Sequence, residues 1–220
     1  MGVVPTRSAT EVHDSISSVS DCGAGNLYDK YRNTHPVERR LVARFLRDAR
    51  ELAALSGASV AHEVGCGEGE ISMMLAQTLG LRVRGSDQSA AVCEEASRRA
   101  HDRGLPISFT ACPIEELNPP RDRAELIICC EVIEHLADPA AGVVNLARLA
   151  DPWALLSVPR EPLWRVLNLL RGAYVSAAGN TPGHVNHFGR QAFVDLLSAR
   201  FQVVALRSPL PWTMVLARTR

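Results

Sequence analysis

The residues able to do chemistry fall into four groups along this chain. The first is Glu63-Val64-Gly65-Cys66-Gly67-Glu68-Gly69-Glu70. An apolar run ends there in an acid, a glycine-rich turn follows, and an apolar helical pattern begins at Ile71. Strand, turn and helix in that order open a nucleotide-type pocket at the carboxyl end of a parallel strand. Glycine in such a turn permits positive φ and lets a ligand approach the main chain. The second group is Asp87 with Gln88, at the end of the next apolar stretch. A carboxylate about twenty positions past the glycine turn can bind both hydroxyls of a ribose. The third is Glu131, Glu134 and His135, in the spacing E-x-x-E-H after the apolar run Leu126-Ile127-Ile128-Cys129-Cys130. The fourth is His184 and His187, in a stretch punctuated by glycine and proline.

Spacing narrows the ligand. A dinucleotide fingerprint, G-x-G-x-x-G, would need a third glycine at position 70, which is Glu70. The pattern is instead G-x-G-x-G, and the charges of Glu68 and Glu70 at the helix start disfavour a pyrophosphate. An imidazole titrating near neutrality suits proton removal, so His184, His187 and His135 are the candidate general bases. Glu131, Glu134 and His135, joined by His184, also have the donor types of an octahedral divalent-metal site with positions left for substrate oxygens.

The elements that must position these groups follow from periodicity. Pro36 opens a helix in which Val37, Leu41, Phe45, Ala49 and Leu52 recur at helical spacing, and Gly57 ends it. Strands are expected at 59–64, 81–86, 107–111, 125–130 and 153–158, separated by helices over 70–80, 89–103 and from after Leu136 to about Leu149. The stretch 159–188 reads as an insert with a short amphipathic helix over 163–170. A helix over 191–200 and a closing hairpin of strands over 201–206 and 212–217 complete the α/β pattern. Residues 1–26, rich in serine and without apolar periodicity, are expected to be a disordered tail. Domain structure is expected over 27–220, with 27–56 as an N-terminal lid and helix.

Composition excludes some classes. Basic and acidic residues balance at 24 each, so no broad electrostatic footprint for nucleic acid is present. No apolar run reaches the length of a membrane span, and no secretory leader is recognisable, so a cytoplasmic protein without a membrane partner is expected. The six cysteines show no C-x-x-C spacing and read as free thiols. Oligomeric state is not legible.

The glycine turn resembles the first motif of the class I S-adenosylmethionine-dependent methyltransferases, acidic-apolar-G-C-G-x-G. Asp87 falls at their second motif, and Glu131-Val132-Ile133-Glu134-His135-Leu136 is a phrase common after their fourth strand. The resemblance covers about residues 36–220. It implies a Rossmann-like, seven-stranded, mostly parallel sheet sandwiched by helices, with an antiparallel last strand and a small lid insert over 159–188 that caps the substrate. It implies S-adenosyl-L-methionine as cofactor, converted to S-adenosyl-L-homocysteine. The residues it assigns to cofactor binding are Tyr31, Glu63, Gly65, Cys66, Gly67, Gly69, Asp87, Gln88, Cys112, Ile114 and Glu131. The chain departs from the family after the third strand, where Ala111-Cys112-Pro113-Ile114-Glu115 lacks the usual acid near the adenine. Backbone groups of Cys112 and Ile114 are expected to serve instead. The set Glu131, Glu134, His135 and His184 resembles that of metal-dependent small-RNA 2′-O-methyltransferases and ubiquinone-pathway O-methyltransferases, though His187-Phe188-Gly189 departs from the RNA enzymes. The activity implied is O- or N-methylation of a small-molecule acceptor in specialised metabolism or cofactor biosynthesis. The alternatives are a metal-dependent RNA 2′-O-methyltransferase and a non-catalytic cofactor-binding protein.

Overall fold

In a computed structural model of the chain, the described residues are 35–220 apart from Arg171 and Ala173. The expected tail over 1–26 and the lid contact from Tyr31 lie outside them. Strand β4 (Ala124–Cys130) shows how the core is built. Leu126, Ile128 and Cys130 enter one hydrophobic cluster, while Ile127 and Cys129 enter the other. Side chains alternate across a strand, so an unbroken apolar run is what a strand buried on both faces requires.

One cluster holds α1 (Pro36–Ser56) and α2 (Glu70–Leu79) through Phe45, Leu52, Ile71 and Leu75. The other holds α4 (Pro139–Leu149) and α6 (Arg190–Ser198) through Val143, Leu146, Phe193 and Leu197. Between them lie β1 (Val60–Val64), β2 (Arg82–Asp87), β3 (Ser108–Ala111), β4, β5 (Ala150–Pro159), β6 (Phe201–Arg207) and β7 (Trp212–Thr219). The seven strands run in the order β3-β2-β1-β4-β5-β7-β6. The first five are parallel, and β7 is antiparallel to both β5 and β6. Helix α3 (Ala90–Asp102) packs on β2 and β3, and α5 (Leu163–Leu170) lies in the expected insert.

Strand order reverses between β1 and β4. In an open α/β sheet the crevice beyond the carboxyl ends of the strands at that reversal is where ligands bind. The glycine turn after β1, Asp87 ending β2, and Glu131 after β4 all lie on this edge. The phrase after β4 holds a 3₁₀ turn, Ile133–His135, and α4 follows from Pro139. Asp138 accepts from the Ala141 amide at 2.9 Å and caps α4, with Pro139 in its first turn. Strand β5 begins at Ala150 rather than Trp153, because Ala150 pairs with Ala124 across a register shift.

Candidate active site

The glycine turn is fixed from below. The Gly65 and Cys66 amides both donate to the Ser86 carbonyl, at 2.7 and 2.9 Å. Gly65, Gly67 and Gly69 have φ of +72°, +51° and +76°. Those left-handed conformations are open to glycine and strained for other residues. Two of these glycines are also demanded by neighbours inside the protein. A Cβ on Gly65 would stand 2.2 Å from Val132 Cγ2, and one on Gly69 would stand 2.6 Å from Phe109 Cζ. Gly85, in β2, makes room for the same Phe109 and for Cys66.

Glu63 is 3 % exposed and sits behind the turn. Its Oε2 accepts from the Ser72 amide at 2.9 Å and from the Ser72 hydroxyl, which fastens the first turn of α2. Glu63 therefore positions the turn from within. Cys66 is buried too. A hydrogen bond with the Cys93 thiol, then burial, push its own thiol pKa up, so this residue offers the turn main chain rather than a thiolate. The charge argument against a pyrophosphate also weakens. Arg99 pairs with Glu70 and donates to the Glu68 carbonyl at 3.2 Å, and Arg103 lies 3.6 Å from Glu70.

Asp87 is half-buried at the end of β2. Its Oδ2 accepts from the Gly67 amide at 3.1 Å and its Oδ1 from the Ser89 amide at 3.0 Å. Ser89, not Asp87, is the N-cap of α3. Two amides occupy part of the acceptor capacity of a carboxylate, which has about four lone-pair sites. The remainder suits the two vicinal hydroxyls of a sugar. Gln88 is exposed beside it. Part of the main chain expected beside the adenine is already engaged. The Cys112 amide already donates to the Asp87 carbonyl at 2.8 Å, and the Ile114 carbonyl accepts from Asn145 Nδ2 at 2.6 Å. Both side chains are buried.

Beyond β4, Glu131 has φ +62°. A non-glycine residue in that region costs about 1–3 kcal/mol and is held only where its surroundings fix it. Here Glu131 Oε1 accepts from Ser157 Oγ at 3.1 Å and Oε2 from Trp212 Nε1 at 2.6 Å, tying it to β5 and β7. The proposed set of four metal ligands is thereby split. Glu134, His135 and His184 bring one ligand atom each to within 4.8 Å of one another, and Glu131 does not belong to that group.

The insert is strapped onto the 3₁₀ turn. The Val185 and Asn186 amides donate to the Glu134 carbonyl at 3.1 and 3.0 Å, and Asn186 Nδ2 donates to the Leu136 carbonyl at 2.7 Å. His135 Nδ1 lies 2.9 Å from the Gly183 carbonyl. A carbonyl only accepts, so Nδ1 carries the hydrogen and Nε2 is the basic nitrogen of exposed His135. His184 is 9 % exposed, edge-on to His135 at 4.8 Å between ring centroids and stacked on Trp164 at 6.1 Å. Burial, then the nearby His135 and His187, push its pKa down to about 4, so it is neutral at neutral pH. His187 stands apart from the cluster, exposed, with Nδ1 3.6 Å from Glu161 Oε1.

The aromatic contacts continue from Trp164 to Trp212 at 5.8 Å and on to Phe45 of α1 at 5.0 Å. Ser157, Val132 and the buried His62 were missed by the sequence reading. His62 ties Ser86 Oγ to the Asp122 carbonyl, both at 2.9 Å, beneath the turn. Ser157 and His62 carry no local motif that would have marked them, and Val132 stands in the phrase after β4 without a chemically active side chain.

Comparison with known proteins matches residues 61–152 to the family described as a methyltransferase domain. A ubiquinone biosynthesis O-methyltransferase of Rhodopseudomonas palustris (strain HaA2) is 34% identical over 115 residues, 52% of this chain and 44% of that protein. The enzyme of the same name from Alkalilimnicola ehrlichii is 30% identical over 142 residues, 64% of this chain and 57% of that protein. The chain thus spans about half the length of the curated relatives it matches. Magnesium protoporphyrin IX methyltransferase from Synechocystis PCC 6803, solved with bound S-adenosyl-L-homocysteine, superposes with a TM-score of 0.66 at 21% identity, covering 87% of this chain and 94% of that one. This last likeness establishes the fold.

Proposed function

We propose that this chain, a member of the class I S-adenosylmethionine-dependent methyltransferases, methylates a hydroxyl of a small-molecule acceptor in cofactor biosynthesis. The observation that carries the reading is the Asp87 carboxylate, pinned by the Gly67 and Ser89 amides at the strand-order reversal with acceptor capacity left for a ribose. The oxygen acceptor and the biosynthetic setting are supported by the relatives, named as ubiquinone biosynthesis O-methyltransferases.

When bound, the sulfonium cofactor supplies an activated methyl group, and the difficult chemistry is its own. The main chain at Gly65–Gly69 and the carboxylate of Asp87 would hold it, with Gln88 beside the nucleoside. What remains for the protein is to orient the acceptor and take its proton. His135 Nε2 is the base we assign, with Nδ1 anchored on the Gly183 carbonyl. Neutral, buried His184 holds the His135 ring edge-on and positions it. The insert, strapped to the 3₁₀ turn, buries His184 and leaves His135 open to an acceptor.

The test is transfer of labelled methyl to a panel of phenols and catechols. His135→Ala should lower kcat by roughly 10²–10⁴-fold, the usual worth of a positioned base, and leave S-adenosyl-L-homocysteine affinity within a factor of a few. A His135→Ala enzyme with full kcat would remove the base assignment. A second reading, a divalent metal on Glu134, His135 and His184, is favoured by their convergence within 4.8 Å. There the metal would orient acceptor oxygens, and a chelator would abolish activity that a divalent ion restores.

A further inference from the structure

Two thiols meet at the glycine turn. Cys66 belongs to the turn itself, and Cys93 lies near the start of α3. Both residues are buried, and their thiols are hydrogen-bonded to each other. Cys66 rests against Gly85 of β2, where an added Cβ would stand 2.9 Å from Cys66 Cβ. Cys93 Sγ is 3.9 Å from the Asp87 carbonyl oxygen. The pair therefore links the glycine turn to the end of β2, the two parts of the proposed nucleoside site. The other described cysteines are arranged differently. Cys129 and Cys130 are successive strand residues and enter opposite clusters, and Cys112 Sγ lies 3.8 Å from Arg121.

Cys93 is also the member of the pair within reach of solvent. Ala90, Cys93, Glu94 and Ser97, on one face of α3, line an open groove of about 340 Å³ with Phe109 and Ala111 of β3. The hydrogen bond from Cys66 draws the Cys93 thiol pKa down and its own up, so Cys93 is the nucleophile and Cys66 keeps its proton. We infer that Cys66 and Cys93 form an oxidation site, at which a peroxide closes a disulfide that loosens the hold on the methyl donor. The inference rests on the proposed binding of that donor at the glycine turn. In the first step the Cys93 thiolate attacks one peroxide oxygen, the O–O bond breaks, and the departing hydroxide takes up a proton as water. The Cys66 sulfur then attacks the Cys93 sulfenic acid. The S–S bond forms as the S–O bond breaks, and hydroxide leaves with the Cys66 proton as a second water. Two thiols lose two electrons and the peroxide gains them.

The bond draws the sulfurs from hydrogen-bonding contact to about 2.05 Å. Cys93 is held by α3, where its amide donates to the Ser89 carbonyl at 3.1 Å. Cys66 is the side that yields, since it stands between Gly65 and Gly67, which have no Cβ to restrict them. Its movement pulls on the Gly67 amide, whose 3.1 Å bond to Asp87 Oδ2 pins the carboxylate.

The experiment treats the full chain with hydrogen peroxide and maps tryptic peptides without reduction. Cleavage after Arg50, Arg82, Arg84 and Arg98 leaves Cys66 on peptide 51–82 and Cys93 on peptide 85–98, with no other cysteine on either. The expected result is these two peptides joined. Calorimetric titration should then show S-adenosyl-L-homocysteine bound about tenfold or more weakly, with dithiothreitol restoring the affinity. Cys93→Ser keeps a hydroxyl to accept from Cys66. It should hold the reduced affinity within a factor of a few and lose the response to peroxide. Unlinked peptides, a disulfide that leaves the affinity unchanged, or an equal loss in Cys93→Ser overturns the inference. Peptide mapping needs no ligand. Absence of S-adenosyl-L-homocysteine binding by the reduced protein would therefore count against the proposed function, while the linked peptides would still decide the oxidation site.

Discussion

Substituting Gly65 by alanine separates two costs that the structure keeps distinct. The backbone there has φ +72°, and an L side chain in that conformation is disfavoured by about 1–2 kcal/mol. The new Cβ would also stand 2.2 Å from Val132 Cγ2, while Val132 Cβ and Cγ1 stand at 3.4 Å. Only the first of these contacts is a clash, so relieving it means moving one methyl group or the strained segment that follows Glu131. Overpacking of this kind costs about 1–3 kcal/mol. Gly65→Ala should therefore lower stability by about 2–5 kcal/mol. Val132→Ala removes both γ-methyls from a half-buried residue, at about 1 kcal/mol. In the double variant the clash is gone and the backbone cost remains, so the two effects should fall short of additivity by about 1–3 kcal/mol. Urea unfolding of the four proteins measures this directly. Strict additivity would mean that Val132 does not lie over Gly65, and with it would go the closed geometry of the turn.

The remaining predictions concern the histidines. Because folding lowers the His184 pKa from about 6.5 to about 4, the unfolded chain binds the extra proton in that window. The associated stability is complete above pH 6.5 and is lost progressively as pH falls toward 4, by about 3 kcal/mol at most. Unfolding curves at pH 7 and 4.5 should show that loss in wild type and a smaller one in His184→Gln. Equal losses would place His184 in water. His187 faces Glu161 outside the cluster, so His187→Gln should keep kcat within about threefold. A loss of a hundredfold would return it to the candidate bases.

Much of this was legible in the sequence, for identifiable reasons. The centre of the sheet could be read because β4 is an unbroken apolar run closed by an acid. The glycine turn and Asp87 could be read because each is a local pattern and their separation is set by one βαβ unit. The antiparallel closure followed from two apolar strands so near each other in sequence. What escaped depends on partners brought together by folding. Glu131 stands in an acidic phrase, yet what fixes its carboxylate is Ser157 on β5 and Trp212 on β7, residues without local signature. Glu70 read as a repelling charge because Arg99 lies a helix away. The partners of the Cys112 amide and the Ile114 carbonyl, Asp87 and Asn145, are likewise not sequence neighbours. His135 and His184 are far apart in sequence and meet only because the insert folds onto the 3₁₀ turn, while His187, three residues on, does not join them.

The central claim is that the glycine turn and Asp87 together hold a sulfonium nucleoside by its sugar. Calorimetric titration of the full chain with S-adenosyl-L-homocysteine, alongside Asp87→Ala, tests it most directly. One-site binding by the wild type should weaken at least about tenfold in the variant, as expected for losing hydrogen bonds from two ribose hydroxyls to a carboxylate. Absence of binding to a folded wild type, or an affinity unchanged by Asp87→Ala, would contradict the account.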